Sequence, residues 1–392
     1  KLNTSQKQAV GHKDGPMLVL AGPGSGKTTV ITERTRTLIE EHEILPGHIL
    51  VITFTKASAA EMKSRFLKRM SGRSCPVTFG TFHAVYFSVL KHAYHYSAAN
   101  IIRDEQKYQC LKEIVAKLHL DYEDETEFIS LLLNEIGLVK NTGVAIANYY
   151  SQNCAETVFR RIFSEYQEFL YSRKLIDFDD MLVYTYELFS ERKDILCAWQ
   201  NKFRYILIDE FQDINKIQFD VIKLLAGDAG NLFVVGDDDQ SIYRFRGAKP
   251  EIMLRFRESF PDTKTVLLDV NYRSQENIVI SAMNLISHNR ERYQKEIKTY
   301  HPKENPVDYA VFTDQRQENL RIIRDIQQYT EKGAPYSDFA VLFRTNTQPR
   351  LLMEQLLEYN IPFYAKDNIP NIYRHWIAQD LFAYIRIAHG SR

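Results

Sequence analysis

Residues Ala21 to Thr28 read Ala-Gly-Pro-Gly-Ser-Gly-Lys-Thr, directly behind the apolar run Met17 to Leu20 and directly ahead of a helix-compatible segment starting at Thr29. A strand, a glycine-rich loop and a helix in that order form a phosphate-binding loop. Gly22, Gly24 and Gly26 let the backbone turn tightly, so that its N–H groups face phosphate oxygens at the positive end of the following helix. Lys27 supplies charge to the outer phosphates, and the Thr28 hydroxyl is a candidate ligand for Mg²⁺. The strict pattern has Gly at its first position where this chain has Ala21, a residue small enough to be accepted there. Pro23, Ser25 and Thr29 complete the candidate nucleotide loop.

A nucleotide site also needs carboxylates, one for the metal and one for the attacking water. The segment Arg204 to Asp213 provides them, because the apolar run Tyr205 to Ile208 delivers Asp209 and Glu210 at its carboxyl end. Ligands of parallel α/β sheets bind at that end of the strands. Asp209 is therefore the candidate Mg²⁺ holder and Glu210 the candidate that polarises water. This division suits a reaction in which catalysis is mostly positioning and charge stabilisation.

Strand-like runs at 17–21, 49–54, 76–79, 205–208, 231–235 and 265–268 alternate with helical patterns, the signature of a doubly wound parallel α/β sheet. Between about 92 and 176 the strands vanish. Helical spacing takes over there, as in Leu111, Ile114, Val115 and Leu118, and again in Phe159, Ile162, Phe163, Tyr166 and Leu170. The expected organisation is one sheet domain from 1–91 and 177–270, an all-helical insertion at 92–176, and a second α/β set from 271. That second set reads as helix 275–288, strand 307–312, helix 316–330, strand 339–343, helix 348–359 and a short strand at 362–364. Thr299 to Asn305, with Pro302 and Pro306 alongside, read as a polar linker.

Composition adds limits rather than direction. A chain of 392 residues with 44% hydrophobic content fills two or three domain cores. Fifty basic residues balance fifty acidic ones, so any nucleic-acid surface is a local patch. Cys75, Cys110, Cys154 and Cys197 lie far apart, which argues against a zinc ribbon or an iron–sulfur cluster and fits a reducing compartment. No secretory or membrane-spanning stretch is visible, and the expected location is the cytoplasm.

Taken in order, the motifs resemble the UvrD, PcrA and Rep type of superfamily 1 DNA helicase. The matches are Leu-Asn-Thr-Ser-Gln at 2–6, the phosphate loop, Ile-Thr-Phe-Thr-Lys at 52–56, Gly-Thr-Phe-His at 80–83, Asp-Phe-Asp-Asp at 177–180 and Ile-Asp-Glu-Phe-Gln-Asp at 208–213. They continue with Val-Gly-Asp-Asp-Asp-Gln-Ser-Ile-Tyr-Arg-Phe-Arg-Gly-Ala at 235–248, Asn-Tyr-Arg-Ser at 271–274 and Phe-Arg-Thr-Asn at 343–346. The resemblance implies two RecA-like lobes that clamp ATP and Mg²⁺ between them and walk 3′ to 5′ along single-stranded DNA, with duplex junctions as partners, in DNA repair or replication. It gives Gln6 to the edge of adenine, Tyr272 to stacking on the base, Gln240 to sensing the γ-phosphate and Arg273 to an arginine finger. The acidic trio Asp237 to Asp239 reads as a solvated loop, because no other ligand converges on it.

For DNA, aromatic rings that stack on bases irrespective of sequence are the expected chemistry. Phe54 leaves a strand end ahead of a basic stretch holding Lys56, Lys63, Arg65, Lys68, Arg69 and Arg73. Tyr243-Arg244-Phe245-Arg246 interleaves aromatics with guanidinium groups, although many relatives carry Trp where Phe245 stands. The resemblance adds Thr55, Thr81 and His83, and Arg344 and Asn346 in the second lobe. Asp177, Asp179 and Asp180 read instead as the acidic start of a helix, and His92, Tyr94, His95 and Tyr96 as surface residues where the insertion begins.

Two further family motifs, a Lys-Gly-Leu-Glu segment and a late arginine motif, have no counterpart after Asn346; Lys332-Gly333 is followed by Ala334 and Pro335. The chain is therefore expected to be an amino-terminal portion with an unfinished second lobe, weakly active by itself. Two other classes share these features. One is the helicase arm of a nuclease–helicase recombination complex; the other is an ATP-switched module that binds DNA or protein without unwinding, against which Glu210, Gln240 and Arg273 argue.

Overall fold

Six strands pair in parallel to make the central sheet: β1 (Met17–Ala21), β2 (Ile49–Thr53), β3 (Thr78–Thr81), β4 (Tyr205–Ile208), β5 (Leu232–Gly236) and β6 (Lys264–Leu268), in the spatial order β3-β2-β4-β5-β1-β6. The computed structural model describes the chain except for Ser74, Asp121, Glu123, Phe245, Arg246, Asn346, residues 367–375, residues 391–392 and the side chain of Trp376. Strands β1, β2, β4 and β5 are buried along their whole length. This is why they appear in sequence as continuous apolar runs rather than as alternating ones.

Alternate residues feed two cores. Leu18, Leu20, Leu50, Ile52, Ile206, Ile208, Leu232 and Val234 meet Phe82, Met181, Phe211, Phe219 and Phe256 on one face. Met17, Val19, Ile49, Val51, Leu207, Phe233 and Val235 meet Val30, Ile31, Leu38, Met62 and Phe66 on the other. The first helix, Thr4–Gly11, carries a capping box in which Asn3 and Gln6 satisfy each other's backbone N–H groups. The α/β class with a parallel sheet, expected from the sequence, is the one observed.

Helices Asp104–Lys117, Glu125–Thr142 and Glu156–Ser172 pack around a separate core of Leu111, Ile114, Ile129, Leu132, Phe159, Ile162 and Tyr166. Lys140 fastens them to the sheet domain. Its ammonium lies 2.6 Å from Asp177 Oδ2 and 2.7 Å from Asp180 Oδ1, with all three side chains buried. Asp177 is the N-cap of helix Phe178–Glu191 and forms a capping box with Asp180, so the acidic start read from the sequence is also an ion-pair socket.

The chain divides into two compact units, Lys1–Pro306 and Val307–Arg392. Near its end the first unit contains β7 (Val270–Gln275), helix Glu276–Ile286 and β8 (Lys298–His301), with β7 and β8 paired in parallel. The stretch read as a linker thus begins with a strand. Thr299 pairs with Asn271, and Tyr300 packs its ring against Tyr272 at 5.3 Å, contacts invisible to local composition.

In the second unit, helices Gln315–Glu331 and Pro349–Glu358 share a small core of Ile323, Ile326, Leu352, Leu356 and Ile361, and a third helix spans Trp376–Ala388. The runs at 307–312, 339–343 and 362–364, expected as strands, form no ladder among the described residues. Their apolar members Tyr309, Leu342 and Tyr364 are largely exposed. Alternating hydrophobicity marks a face for burial, but a strand also needs a neighbour for its backbone hydrogen bonds.

Candidate active site

The spatial order of the strands sets the layout at the carboxyl edge of the sheet. β4, β5 and β1 are neighbours, so Asp209-Glu210, Asp237–Gln240 and the phosphate loop emerge side by side. β2 and β3 lie beyond β4 and deliver Phe54-Thr55 and Thr81 to the same edge.

Ala21 closes β1 and is buried. Within the loop, the Ser25 hydroxyl donates to the Gly22 carbonyl at 2.7 Å. Gly24 and Gly26 have φ of +65° and +86°, a region that side chains disfavour. Gly24 has a second constraint: a Cβ there would lie 2.7 Å from Arg273 Cβ. Gly26 is the N-cap of helix Lys27–Glu40, whose first turn presents Lys27, Thr28 and Thr29. Such a helix start, with unpaired N–H groups and a positive dipole end, suits an anion.

Lys27 Nζ lies 2.7 Å from Glu210 Oε2, so the loop cation and the candidate base are already paired. Glu210 has φ of +51°. A left-handed conformation at a non-glycine residue costs on the order of 1–3 kcal/mol and concentrates at functional sites. Gln212, to which the sequence reading gave no role, braces this arrangement. Its amide nitrogen donates to Glu210 Oε2 at 3.0 Å, and its carbonyl oxygen accepts the Asp237 N–H at 2.9 Å.

Asp209 is buried, and its Oδ1 has no hydrogen-bond partner among the described residues. Burial, and then the adjacent Glu210 charge, push its pKa up to about 7. Asp213 has the same two causes, a pKa of about 6 and its own Oδ1 without a partner among the described residues. Carboxylates so placed fit a divalent cation, which would supply the missing charge.

Opposite the loop, β7 supplies the candidates from the second motif set. Asn271 Nδ2 donates to the Pro23 carbonyl at 2.7 Å, and the Tyr272 N–H donates to the Gly24 carbonyl at 3.0 Å. The Asn3 amide donates to the Tyr272 hydroxyl at 2.9 Å. Gln6 is buried, accepts the Asn3 N–H at 3.0 Å and donates to the Ser25 carbonyl at 2.9 Å. Gln6 and Tyr272 therefore share Asn3 as a common neighbour. Arg273 is exposed, and its backbone is fixed beside Gly24 by Asn271 Oδ1, which accepts the Arg273 N–H at 2.8 Å.

The profile of the UvrD/REP helicase N-terminal domain matches residues 2–261, and that of the UvrD-like helicase C-terminal domain matches residues 266–391. The chain belongs to the UvrD/REP helicase family. Named relatives include a putative ATP-dependent DNA helicase, YjcD, of Bacillus subtilis strain 168, which is 37% identical over 391 residues covering 98% of this chain and 51% of the relative. The ATP-dependent DNA helicase PcrA of Staphylococcus aureus strain Mu50 is 35% identical over 399 aligned positions, covering 100% of this chain and 54% of that protein. PcrA of Staphylococcus epidermidis is 34% identical with the same coverage. The chain spans about half the length of the curated relatives it matches.

In this UvrD/REP chain the acidic trio is not a solvated loop. Asp237 is fully buried, and Lys295 and Arg292 converge on the trio from the segment ahead of β8. Burial alone would raise the pKa of Asp239, but the bonds from Arg292 and Lys295 outweigh it and hold the group below the ordinary carboxylate value. Lys295 lies 58 positions from Asp237, beyond any local spacing rule. Gln240 ends the short turn after β5 and donates its side-chain N–H to Asp237 Oδ2 at 2.6 Å.

Of the candidate strand contacts in the UvrD/REP chain, Phe54 is half-buried and meets Phe82 edge-on at 5.3 Å. Thr55 and Thr81 are N-caps of helices Lys56–Arg69 and Phe82–Tyr94. Lys56 is exposed. His83 meets Phe178 edge-on at 5.7 Å, and burial lowers its pKa. Tyr243 is half-buried in the loop after Gln240. In the second unit Arg344 is exposed, with its backbone N–H donating to Gln348 Oε1 at 2.6 Å. Phe245, Arg246 and Asn346 lie outside the described residues. No described helix is long and apolar enough to cross a membrane.

Proposed function

We propose that this protein is an ATP-dependent helicase and translocase that moves 3′ to 5′ on single-stranded DNA, in DNA repair or replication. The observation that supports the reading is the contact of β7 with the phosphate loop through Asn271 and Tyr272, which sets the Arg273 backbone beside Gly24 of the loop that carries Lys27. Relatives named ATP-dependent DNA helicases support the helicase activity.

ATP enters as substrate. Its triphosphate carries more negative charge than one carboxylate and displaces Glu210 as the partner of Lys27. The freed Glu210 then orients and polarises the attacking water, and Gln212 keeps its carboxylate aimed. Thr28 and Asp209 would hold Mg²⁺, which supplies charge neutralisation at the phosphates. The Arg273 guanidinium offsets transition-state charge, a contribution on the order of 10³–10⁵ in rate for arginine fingers. Gln6 and Tyr272 hold the base. Phe54, Thr55, Lys56, Thr81, His83 and Tyr243 contact the strand, with Phe245 and Arg246 on the same stretch of sequence and Arg344 and Asn346 from the second unit. Four free thiols and a DNA substrate fit a cytoplasmic protein.

The test is steady-state ATP hydrolysis by the protein with and without oligo(dT), followed by strand displacement on duplexes bearing a 3′ or a 5′ tail. Hydrolysis is expected to rise with oligo(dT), and only the 3′-tailed duplex to open. DNA-independent hydrolysis, or preference for the 5′ tail, would refute the coupling or the polarity respectively.

A further inference from the structure

Lys295 sits at the centre of a buried knot for which helicase chemistry has no evident need. Its Nζ lies 2.6 Å from Asp237 Oδ1, 2.6 Å from Asp238 Oδ1 and 2.8 Å from Asp239 Oδ2, and its side chain is only 1% exposed. An ammonium has three N–H donors, and here three separate carboxylates accept them. Arg292 grips Asp239 through Nε and Nη2, both at 2.7 Å. The Tyr293 N–H donates to Asp238 Oδ2 at 2.8 Å, and its hydroxyl is shared between the carbonyls of Met253 and Leu254. The ammonium occupies the position a metal ion would take in such an acidic cluster.

What the knot touches on either side gives it meaning. On one side Asp237 Oδ2 accepts the Gln240 amide at 2.6 Å, and the Asp237 N–H reaches Gln212, which in turn reaches Glu210. On the other side, Lys295 lies just ahead of β8, and β8 pairs with β7, which carries Tyr272 and Arg273. One lysine therefore ties the candidate phosphate sensor after β5 to the strand pair that bears the candidate arginine finger.

We propose that Lys295 is a positioning residue for ATP hydrolysis: it fixes the Asp237 carboxylate, which fixes the Gln240 side chain, and so links the sensor to the placement of β7. This deepens the function proposed above and rests on it. The tripod of bonds requires a lysine. The planar fork of Arg retains the charge but cannot meet three carboxylates in this arrangement.

The test is a double-mutant cycle on ATP hydrolysis at saturating oligo(dT), using wild type, Lys295→Met, Gln240→Ala and the double variant. Misplacing a catalytic group by about 1 Å costs on the order of 10²-fold, so Lys295→Met is expected to lower kcat by about that factor with KM for ATP little changed. Lys295→Arg is expected to regain thermal stability without regaining kcat. Because both residues act through one amide, the double variant should be no slower than the slower single variant. Losses that multiply, or a Lys295→Met protein with wild-type kcat, would overturn the proposal. If Lys295→Met does not fold, Lys295→Arg takes its place in the same cycle and is read the same way. An inactive wild type removes the proposed function and this inference together; an active wild type with multiplying losses removes the inference alone.

Discussion

Two buried lysines, Lys140 and Lys295, use the same chemistry to different ends. Each has a side chain at most 3% exposed, and each bridges aspartates that follow one another closely in sequence. The partners of Lys140 make their remaining bonds to the start of helix Phe178–Glu191 and to the Tyr166 hydroxyl, so they end in structure. Of the partners of Lys295, Asp239 is also held by Arg292 and Asp238 by the Tyr293 N–H, but Asp237 leads on to Gln240 and, through Gln212, toward Glu210. A buried ion pair is weak evidence for stability by itself, because desolvation offsets much of its attraction. The onward bonds of the aspartates distinguish a pin that holds shape from one that sets the geometry of a site.

Variants can break or sharpen that contrast. Among variants that bear on this contrast, the largest effect is expected where the bonds from Lys295 lead: Glu210→Gln should lower kcat by about 10²–10⁴, the range for removing a general base, while nucleotide binding tightens because Lys27 loses its competing partner. Weaker binding of a fluorescent ATP analogue to that variant would show that the Lys27–Glu210 pair does not compete with nucleotide. Lys140→Met comes next and should act on folding. Removing one partner of a buried ion pair costs about 3–5 kcal/mol, seen as a lower midpoint in urea, whereas kcat per folded molecule stays at the wild-type value. In a cycle with Gln240→Ala its effects should be independent; coupling there would erase the distinction between the two lysines.

A smaller effect is expected at the DNA edge. Phe54→Ala should weaken oligo(dT) binding by roughly 1–3 kcal/mol, the contribution of one base stacked on an aromatic ring, as read by fluorescence anisotropy. Unchanged affinity would return Phe54 to a packing role against Phe82. The smallest effect is a proton. With its pKa raised to about 7, Asp209 is partly protonated at neutral pH, and Mg²⁺ binding should release that proton. Magnesium affinity should rise with pH through 7, and calorimetry in two buffers of different ionisation enthalpy should detect the release. The folded carboxyl pKa lies above its unfolded value, so the metal-free protein should gain stability as pH falls from about 7 toward 4 and lose it on the return. Buffer-independent binding heats would contradict the assignment of Asp209 to the metal.

The sequence was most legible where one local segment carries both a structural and a chemical requirement. β1 with the phosphate loop, and β4 with Asp209 and Glu210, announce themselves because a doubly buried strand is a continuous apolar run and the polar residues at its end are then conspicuous. The helical insertion shows through its spacing for the same reason. What stayed hidden depends on contacts between distant segments. Asp237 to Asp239 look solvated until Lys295 arrives from 58 positions away. Lys298–His301 resembles a linker until β7 pairs with it, and Lys140 is an unremarkable helix residue until Asp177 and Asp180 enclose it. The runs at 307–312 and 339–343 fail in the opposite sense: their pattern is that of strands, but no described neighbour completes a ladder.

The proposed nucleotide site joins β7 to the phosphate loop through Asn271 and Tyr272, and the proposal gives Arg273 to the chemistry. ATP hydrolysis at saturating oligo(dT), measured for the wild type and for Arg273→Ala, tests this most directly. A fall of about 10³–10⁵ in kcat, with ATP analogue binding and thermal stability retained, is the predicted result; equal rates in the two proteins would contradict it.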